Sequence, residues 1–167
     1  MSNAKNLRVA RRIVTFLCDG CQIDGLRFGP NLQLLITPEH NRTDRPHGQV
    51  YLNLSKSWAL CRNRSSKLDS PLRFASLPDG NKLRTLCRLQ NRIIERAEIN
   101  SSQLHLSLYL DDGTVLVLNG SDTKHHWDLG VAFALPGEEE WNVMVHPDGR
   151  LEVSYPARFS RTVRRST

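Results

Sequence analysis

The sequence predicts an α+β chain, mainly β, built of antiparallel sheets with one or two covering helices. Three observations predict it. Apolar and polar residues alternate through Leu32-x-Leu34-x-Ile36, Val50-x-Leu52-x-Leu54 and Leu104-x-Leu106-x-Leu108-x-Leu110, the period of a half-buried strand. Two hairpin signals follow: Asp111-Asp112-Gly113-Thr114 leads into residues 115–118, and Pro147-Asp148-Gly149 separates Trp141-x-Val143-x-Val145 from Leu151-x-Val153-x-Tyr155. Only two segments carry helical spacing.

The first of these is Leu7, Ala10, Ile13 or Val14 and Leu17, with Arg8, Arg11 and Arg12 mostly elsewhere around the wheel; the β-branched pair Ile13-Val14 leaves a strand open as an alternative. The second opens at Pro78-Asp79-Gly80 and places Leu83, Leu86, Cys87 and Gln90 on one face. Ile93, Ile94, Ala97 and Ile99 then return to strand. These elements give a basic helix or arm over 1–17, a β-rich domain over 18–157 and a basic tail over 158–167. A faint internal echo suggests halves at 18–75 and 76–157. Cys21-Gln-Ile-Asp leads through a turn to Leu32-x-Leu34, and Ile94-Glu-Arg-Ala-Glu-Ile leads to Leu104-x-Leu106. Each half then supplies a tryptophan followed by leucine, Trp58-Ala-Leu60 and Trp127-Asp-Leu129.

A chain of 167 residues, 39% hydrophobic and 24% charged, buries a real core and is not a disordered tract. No run approaches the roughly 18 apolar residues of a membrane span, so no membrane partner is expected. The apolar run from Ile13 to Cys18 is too short for a secretory signal, and a cytoplasmic protein with reduced thiols is expected. Without a signal, the Asn-x-Ser/Thr triplets at Asn41, Asn53, Asn63, Asn100 and Asn119 carry little weight. The net charge of +6 is segregated: residues 42–96 balance to +8, residues 97–157 to −8, and each terminal segment, 1–17 and 158–167, adds +4. Either the two blocks interleave in the fold, or they form separate surfaces of opposite sign.

Cys18-Asp19-Gly20-Cys21 has the spacing of half a zinc site or a redox pair, but no second CxxC completes it. Buried free thiols are the simpler reading, and Cys61 and Cys87 read as small core residues. No nucleophile elbow, phosphate-cradling loop, zinc-protease helix or dinucleotide fingerprint occurs. No cofactor, no metal ligand set and no catalytic residue is therefore assigned, and the chain reads as a non-enzyme.

The densest polar cluster is residues 119–128. His125 and His126 point to opposite faces of a strand, whereas His126 and Asp128 share one, with Asp122 in the preceding turn. Such a group suits an ion pair, a partner contact or, less readily, a weak metal site for hydrolysis at His126 and Asp128. The run Glu138-Glu139-Glu140 extends this acidic region and would complement a basic protein. His105 is expected to face away from the leucines of its strand, and His146 to serve a turn. His40 and His47 bracket a loop read as solvated. Arg84, Arg88 and Arg92 recur every four residues, with Arg96 continuing the series, and a helix that long would make an arginine stripe suited to phosphate. Aromatic residues for base stacking are missing nearby.

Residues 86–155 resemble a group of small uncharacterised bacterial β-rich proteins. The resemblance is carried by the Leu-x-Leu-x-Leu strand before Asp112-Gly113, by Trp127-Asp-Leu129, by Pro136-Gly137 and by the closing strand through Leu151-x-Val153. Some proteins of that appearance look like immunity proteins, which neutralise a cognate toxin by binding it. The resemblance implies a protein-binding function and transfers no catalytic residues. The basic pI departs from the acidic character expected of a partner for a basic nuclease toxin. The leading expectation is a protein-binding module using Asp122, His126, Asp128, Glu138, Glu139 and Glu140. The alternative is nucleic-acid binding through Arg84, Arg88, Arg92 and the basic termini.

Overall fold

A computed structural model of the chain describes residues 3–38, 46, 48–54, 57–62, 79–124, 126–132, 140–157 and 159. In chain order the elements are α1 (Asn3–Cys18), β1 (Cys21–Arg27), β2 (Gln33–Pro38), β3 (Gln49–Asn53), β4 (Trp58–Arg62), α2 (Asp79–Cys87), β5 (Ile93–Ile99), β6 (Leu106–Leu110), β7 (Thr114–Leu118), β8 (Trp127–Ala132), β9 (Asn142–Val145) and β10 (Leu151–Ser154). The α+β class is as the periodicities predict. The sheets are one sheet, however: ten strands in the order β10-β9-β8-β3-β2-β1-β5-β6-β7-β4, with every neighbour antiparallel.

Chain connectivity forces this sheet to curl. β3 ends at Asn53 and β4 begins at Trp58, yet six strand spacings separate them in the sheet. Laid flat, that separation is about 29 Å at ~4.8 Å per spacing. Five Cα steps reach at most about 18 Å. The sheet therefore wraps, and its concave side is filled by α1, which packs on β5, β10, β9 and β2. Val9, Ala10, Ile13, Val14, Leu17 and Cys18 form the helix's buried stripe, while Lys5, Arg8 and Arg11 stay exposed. Asn6 donates to the Leu151 carbonyl at 3.0 Å and Arg11 Nε to the Ile99 carbonyl at 2.8 Å, so polar bonds tie the helix to both sides of the curl. Phe16 adds an aromatic cluster, stacking on Trp141 at 5.4 Å and meeting Phe159 at 5.2 Å.

The registers reveal two matching units. Around the central β1–β5 pair, the Gly20 amide bonds the Ile94 carbonyl and the Asn91 amide bonds the Ile23 carbonyl, both at 2.8 Å. Gly20 (φ 72°) and Asn91 (φ 65°) share the left-handed conformation that lets each chain leave its helix and enter its strand. Each unit's first strand then bulges at an acidic residue, Asp24 between Ile23 and Gly25, and Glu95 between Ile94 and Arg96. The fourth strand of each unit is exchanged: β4 pairs with β7, and β8 pairs with β3. Trp58 and Trp127 hold matching places there, as do Leu60 and Leu129.

The two exchanged connections meet and are bonded together. Asn119 donates its amide to the Ser57 carbonyl at 3.0 Å, and its side chain reaches Ser57 Oγ at 3.1 Å. Trp127 Nε1 donates to the Leu104 carbonyl at 3.1 Å, and His105 Nδ1 accepts the Gly120 amide at 2.9 Å. Leu104 has φ 55°, which ends the alternation that places His105 outside. β6 consequently starts at Leu106, and His105 is buried rather than solvent-facing.

Other expectations are corrected by local geometry. α2 stops at Cys87 and tightens into 3₁₀-type bonds, the Leu89 amide reaching the Leu86 carbonyl at 2.9 Å. Leu86 and Leu89 therefore enter the core, while Cys87 and Gln90 are exposed. Cys61 is only half-buried, on the edge strand β4. Cys18 and Cys21 are buried free thiols, Cys21 donating to the Leu17 carbonyl at 3.2 Å. The His40 and His47 loop, His125 and most of the C-terminal tail lie outside the described residues. No helix among the described residues is long and apolar enough to cross a membrane.

Two predictions follow from the crossing. A Cβ on Gly120 would fall on the Leu104 carbonyl, so Gly120→Ala should destabilise the fold by more than ~3 kcal/mol in urea unfolding. Burial lowers the His105 pKa below its ordinary 6.5, and its Nδ1 must stay unprotonated to accept from Gly120. The unfolded chain therefore binds this proton more readily, and stability present above 6.5 is lost as pH falls below it. Denaturation midpoints should drop between pH 7.5 and 5.5, and His105→Gln should flatten that dependence; an unchanged slope would remove His105 as its source.

Candidate functional site

On the convex side of the first unit, strand pairing lines up one row of polar side chains. Arg27 faces Gln33, Gln33 faces Asn53, and Asn53 faces Asp128 across β1, β2, β3 and β8. They form a continuous hydrogen-bonded ladder: Arg27 Nε donates to Gln33 Oε1 at 2.6 Å, Gln33 Nε2 to Asn53 Oδ1 at 2.7 Å, and Asn53 Nδ2 to Asp128 Oδ2 at 2.6 Å. Guanidinium only donates and carboxylate only accepts, so the two ends dictate how both amides point. Every donor is directed toward Asp128, and such a chain polarises cooperatively.

Asp128 is 6% exposed, one of two buried polar or charged residues among those described. Burial pushes its carboxyl above the ordinary range, opposed by the Asn53 hydrogen bond and the nearby His126. One row along, Tyr51 faces Gly130, and Gly130 faces Asn142. The Tyr51 hydroxyl lies 2.5 Å from where a Cβ on Gly130 would stand, so glycine is what lets the ring lie across β8. Burial, with the charges of Asp128 and Glu140, raises the Tyr51 pKa and keeps its hydroxyl a donor at neutral pH. Facing Gly130 from β9, Asn142 has a buried Oδ1 with no hydrogen-bond partner among the described residues.

The matching positions of the second unit carry none of this. In place of Arg27, Gln33, Asn53 and Asp128 stand Glu98, Ser107, Val117 and Ala59. In place of Gly25, Leu35, Tyr51 and Gly130 stand Arg96, Tyr109, Val115 and Cys61. Arg96 there is turned inward to its own unit, 4.0 Å over the Tyr109 ring and 2.7 Å from Glu98. Two units with one backbone plan therefore carry different chemistry at matching places, and in the second Val115 and Val117 are fully buried.

The expected site residues divide accordingly. Asp128, His126 and Glu140 belong to this region: Asp128 is buried, His126 and Glu140 are exposed, and the charges of the latter two act on Asp128 and Tyr51 respectively. Asp122 is used locally, its Oδ1 accepting the Lys124 amide at 2.8 Å. Glu138 and Glu139 lie outside the described residues. The arginine stripe does not form, because α2 ends before Arg88. Arg84 and Arg88 are exposed, but Arg92 lies 3.4 Å from Asp112 and 4.0 Å from Asp111. The basic and acidic blocks thus interleave at the β5–β6–β7 edge. Cys61 is a poor nucleophile, since burial raises its thiol pKa. His146 ends β9 and pairs with Glu152 at 2.9 Å.

Tyr51, Asn53, Gln33, Arg27 and Asn142 are absent from the sequence-derived site. The outward parity of Gln33, Tyr51 and Asn53 is readable from alternation with Leu34, Ile36, Val50 and Leu52, and that of Asn142 from Val143 and Val145. Arg27, however, has the parity of buried Cys21 and Ile23 and faces outward only because β1 bulges at Asp24. The alignment of the row with Asp128 depends on β8 pairing with β3. No family model, curated protein or solved structure matches the chain.

Ionised Asp128 opposes folding, because its folded pKa stands above the unfolded value of 3.8. The penalty grows as pH rises from 3.8 through the folded pKa and is complete above it. Asp128→Asn keeps an acceptor for Asn53 and should raise the melting temperature at pH 7.5, with the gain vanishing at pH 3. A lowered melting temperature at pH 7.5 would show the carboxylate to be a structural requirement. Gly130→Ala should cost about 1–3 kcal/mol by displacing the Tyr51 ring.

Proposed function

We propose that the chain is a non-catalytic protein-binding module, of the kind that neutralises a bacterial toxin by direct binding, and that it holds its partner against the outer face of the first unit. The observation that carries this reading is the contrast between the two matching units. A hydrogen-bonded ladder ending in a buried carboxylate occupies one of them, while the equivalent row of the other is Ser107, Val117 and Ala59 behind Glu98. The fold does not need the ladder, since the second unit makes the same strand pairings without it. A buried acid whose charge is opposed by its burial, in a row that the second unit fills without one, supports an intermolecular purpose.

The other readings draw less support. Nucleic-acid binding would rest on Arg84, Arg88 and the basic termini, because Arg92 sits against Asp111 and Asp112 and Arg11 bonds the Ile99 carbonyl. Metal-assisted hydrolysis at His126 and Asp128 would need a third ligand, and no group of three His, Cys, Asp or Glu side chains converges among the described residues. The ladder's members other than Asp128 are amides and a guanidinium, which bind and orient but neither attack nor change protonation state near neutral pH.

The test is capture from the source organism's lysate by immobilised protein, after nuclease treatment and at two salt concentrations. Wild type should retain one protein near stoichiometrically, and Asp128→Asn and Asn53→Ala should each weaken that capture at least tenfold. The double variant Arg84→Gln/Arg88→Gln should capture as wild type does. Capture unaffected by Asp128→Asn, or retention of nucleic acid alone with loss at higher salt, would overturn the reading.

A further inference from the structure

We infer that the partner group received beside Gly130 is an arginine guanidinium, held by Asp128, the Asn142 carbonyl and Tyr51. This rests on the protein-binding reading and names the chemistry that the partner must present. Asp128 is 6% exposed, and its only hydrogen bond among the described residues comes from Asn53, on Oδ2. A carboxylate offers about four acceptor positions, so most of its capacity is unused. Asn142 Oδ1, on the next strand and the same face, is a buried acceptor with no donor. Between them lies Gly130, and the Tyr51 ring reaches across it.

The region thus keeps acceptor capacity, on Asp128 and Asn142, that no donor among the described residues fills. Its complement is a cation bearing several N–H groups. Guanidinium fits better than ammonium on three grounds. Its planar fork bonds both a carboxylate and an adjacent carbonyl, whereas ammonium is a compact, strongly hydrated point charge. Its weaker hydration lowers the cost of entering a site where the carboxylate is already buried. Its flat face stacks on an aromatic ring, as Arg96 already does on Tyr109 in the second unit. Arg27, the cation at the far end of the ladder, does not meet this need, because Gln33 and Asn53 stand between it and Asp128. Glu140, exposed and close enough for its charge to act on Tyr51, places a second negative group at the rim.

The experiment titrates the full chain with N-acetyl-arginine amide while following backbone and side-chain amide resonances. N-acetyl-citrulline amide, of the same shape without the charge, and N-acetyl-lysine amide serve as comparisons. Saturable shifts of the Gly130 and Asn142 resonances are expected in the millimolar range, at least tenfold weaker with citrulline and several-fold weaker with lysine. Asp128→Asn should abolish them and Tyr51→Ala should reduce them. Equal responses to arginine and citrulline, or shifts confined to other residues, would overturn the inference. A partner captured through Asp128 without any arginine response would retain the protein-binding reading and remove the guanidinium. An arginine response in a chain that captures no protein would do the reverse.

Discussion

The exchange of fourth strands is the constraint from which the rest of the molecule follows. Residues 54–57 must carry the chain from β3 to β4, and such a link cannot span a flat sheet of this order. The sheet curls, the curl makes a concave side, and α1 fills it. Where the two exchanged connections meet, two hydrogen bonds from Asn119 to Ser57 fasten them. Two more, Gly120 to His105 and Trp127 to Leu104, tie the second connection and the start of β8 to the turn between β5 and β6. Leu104 in the left-handed region and Gly120 without a side chain are the local adjustments that let the β5–β6 turn and the second connection approach. Strain of this kind persists only where surrounding structure holds it, and here the whole curl does so.

The same exchange builds the candidate site. β8 belongs by sequence to the second unit but completes the face of the first, bringing Asp128 beside Asn53 and Gly130 beside Tyr51. β9 and β10 then extend that face, and β9 supplies Asn142. The second unit gains only β4 in return, with Ala59 and Cys61 at the matching places. One backbone plan, used twice, has been given a polar outer row on one side and a largely apolar row on the other. The polar row places a carboxylate where burial opposes its charge, and the next row a buried amide carbonyl to which no described residue donates. Both are unfavourable for an isolated chain and favourable once a cationic group is bound.

Charge segregation along the sequence has a different outcome in space. The +8 and −8 blocks meet at the β5–β6–β7 edge, where Arg92 lies against Asp111 and Asp112, and within β5 Arg96 joins Glu98. Sign-segregated sequence therefore becomes locally neutral surface there. What remains distinctive among the described residues is one buried acid, Asp128.

Much of the fold was determined by sequence alone, because strand and helix periods are local and depend only on which residues an element buries. The strands around Leu34, Leu52, Leu108, Val117 and Val153, both helices, and the echo of Trp58-x-Leu60 in Trp127-x-Leu129 are legible in that way. His126 and Asp128 were legible as a pair for the same reason, since residues two apart share a strand face. Pairing is not local. Which strand lies beside β8, and in what register, is settled by the length of the connections, the filling of the curl by α1 and the bonds where the connections meet. Only the tertiary structure could therefore set Arg27, Gln33, Asn53 and Asp128 in one row, bury His105 against Gly120, and lay Arg92 against Asp111 and Asp112. Alternation tells each strand which side chains face outward; the shared burial of a distant core decides which of them become neighbours.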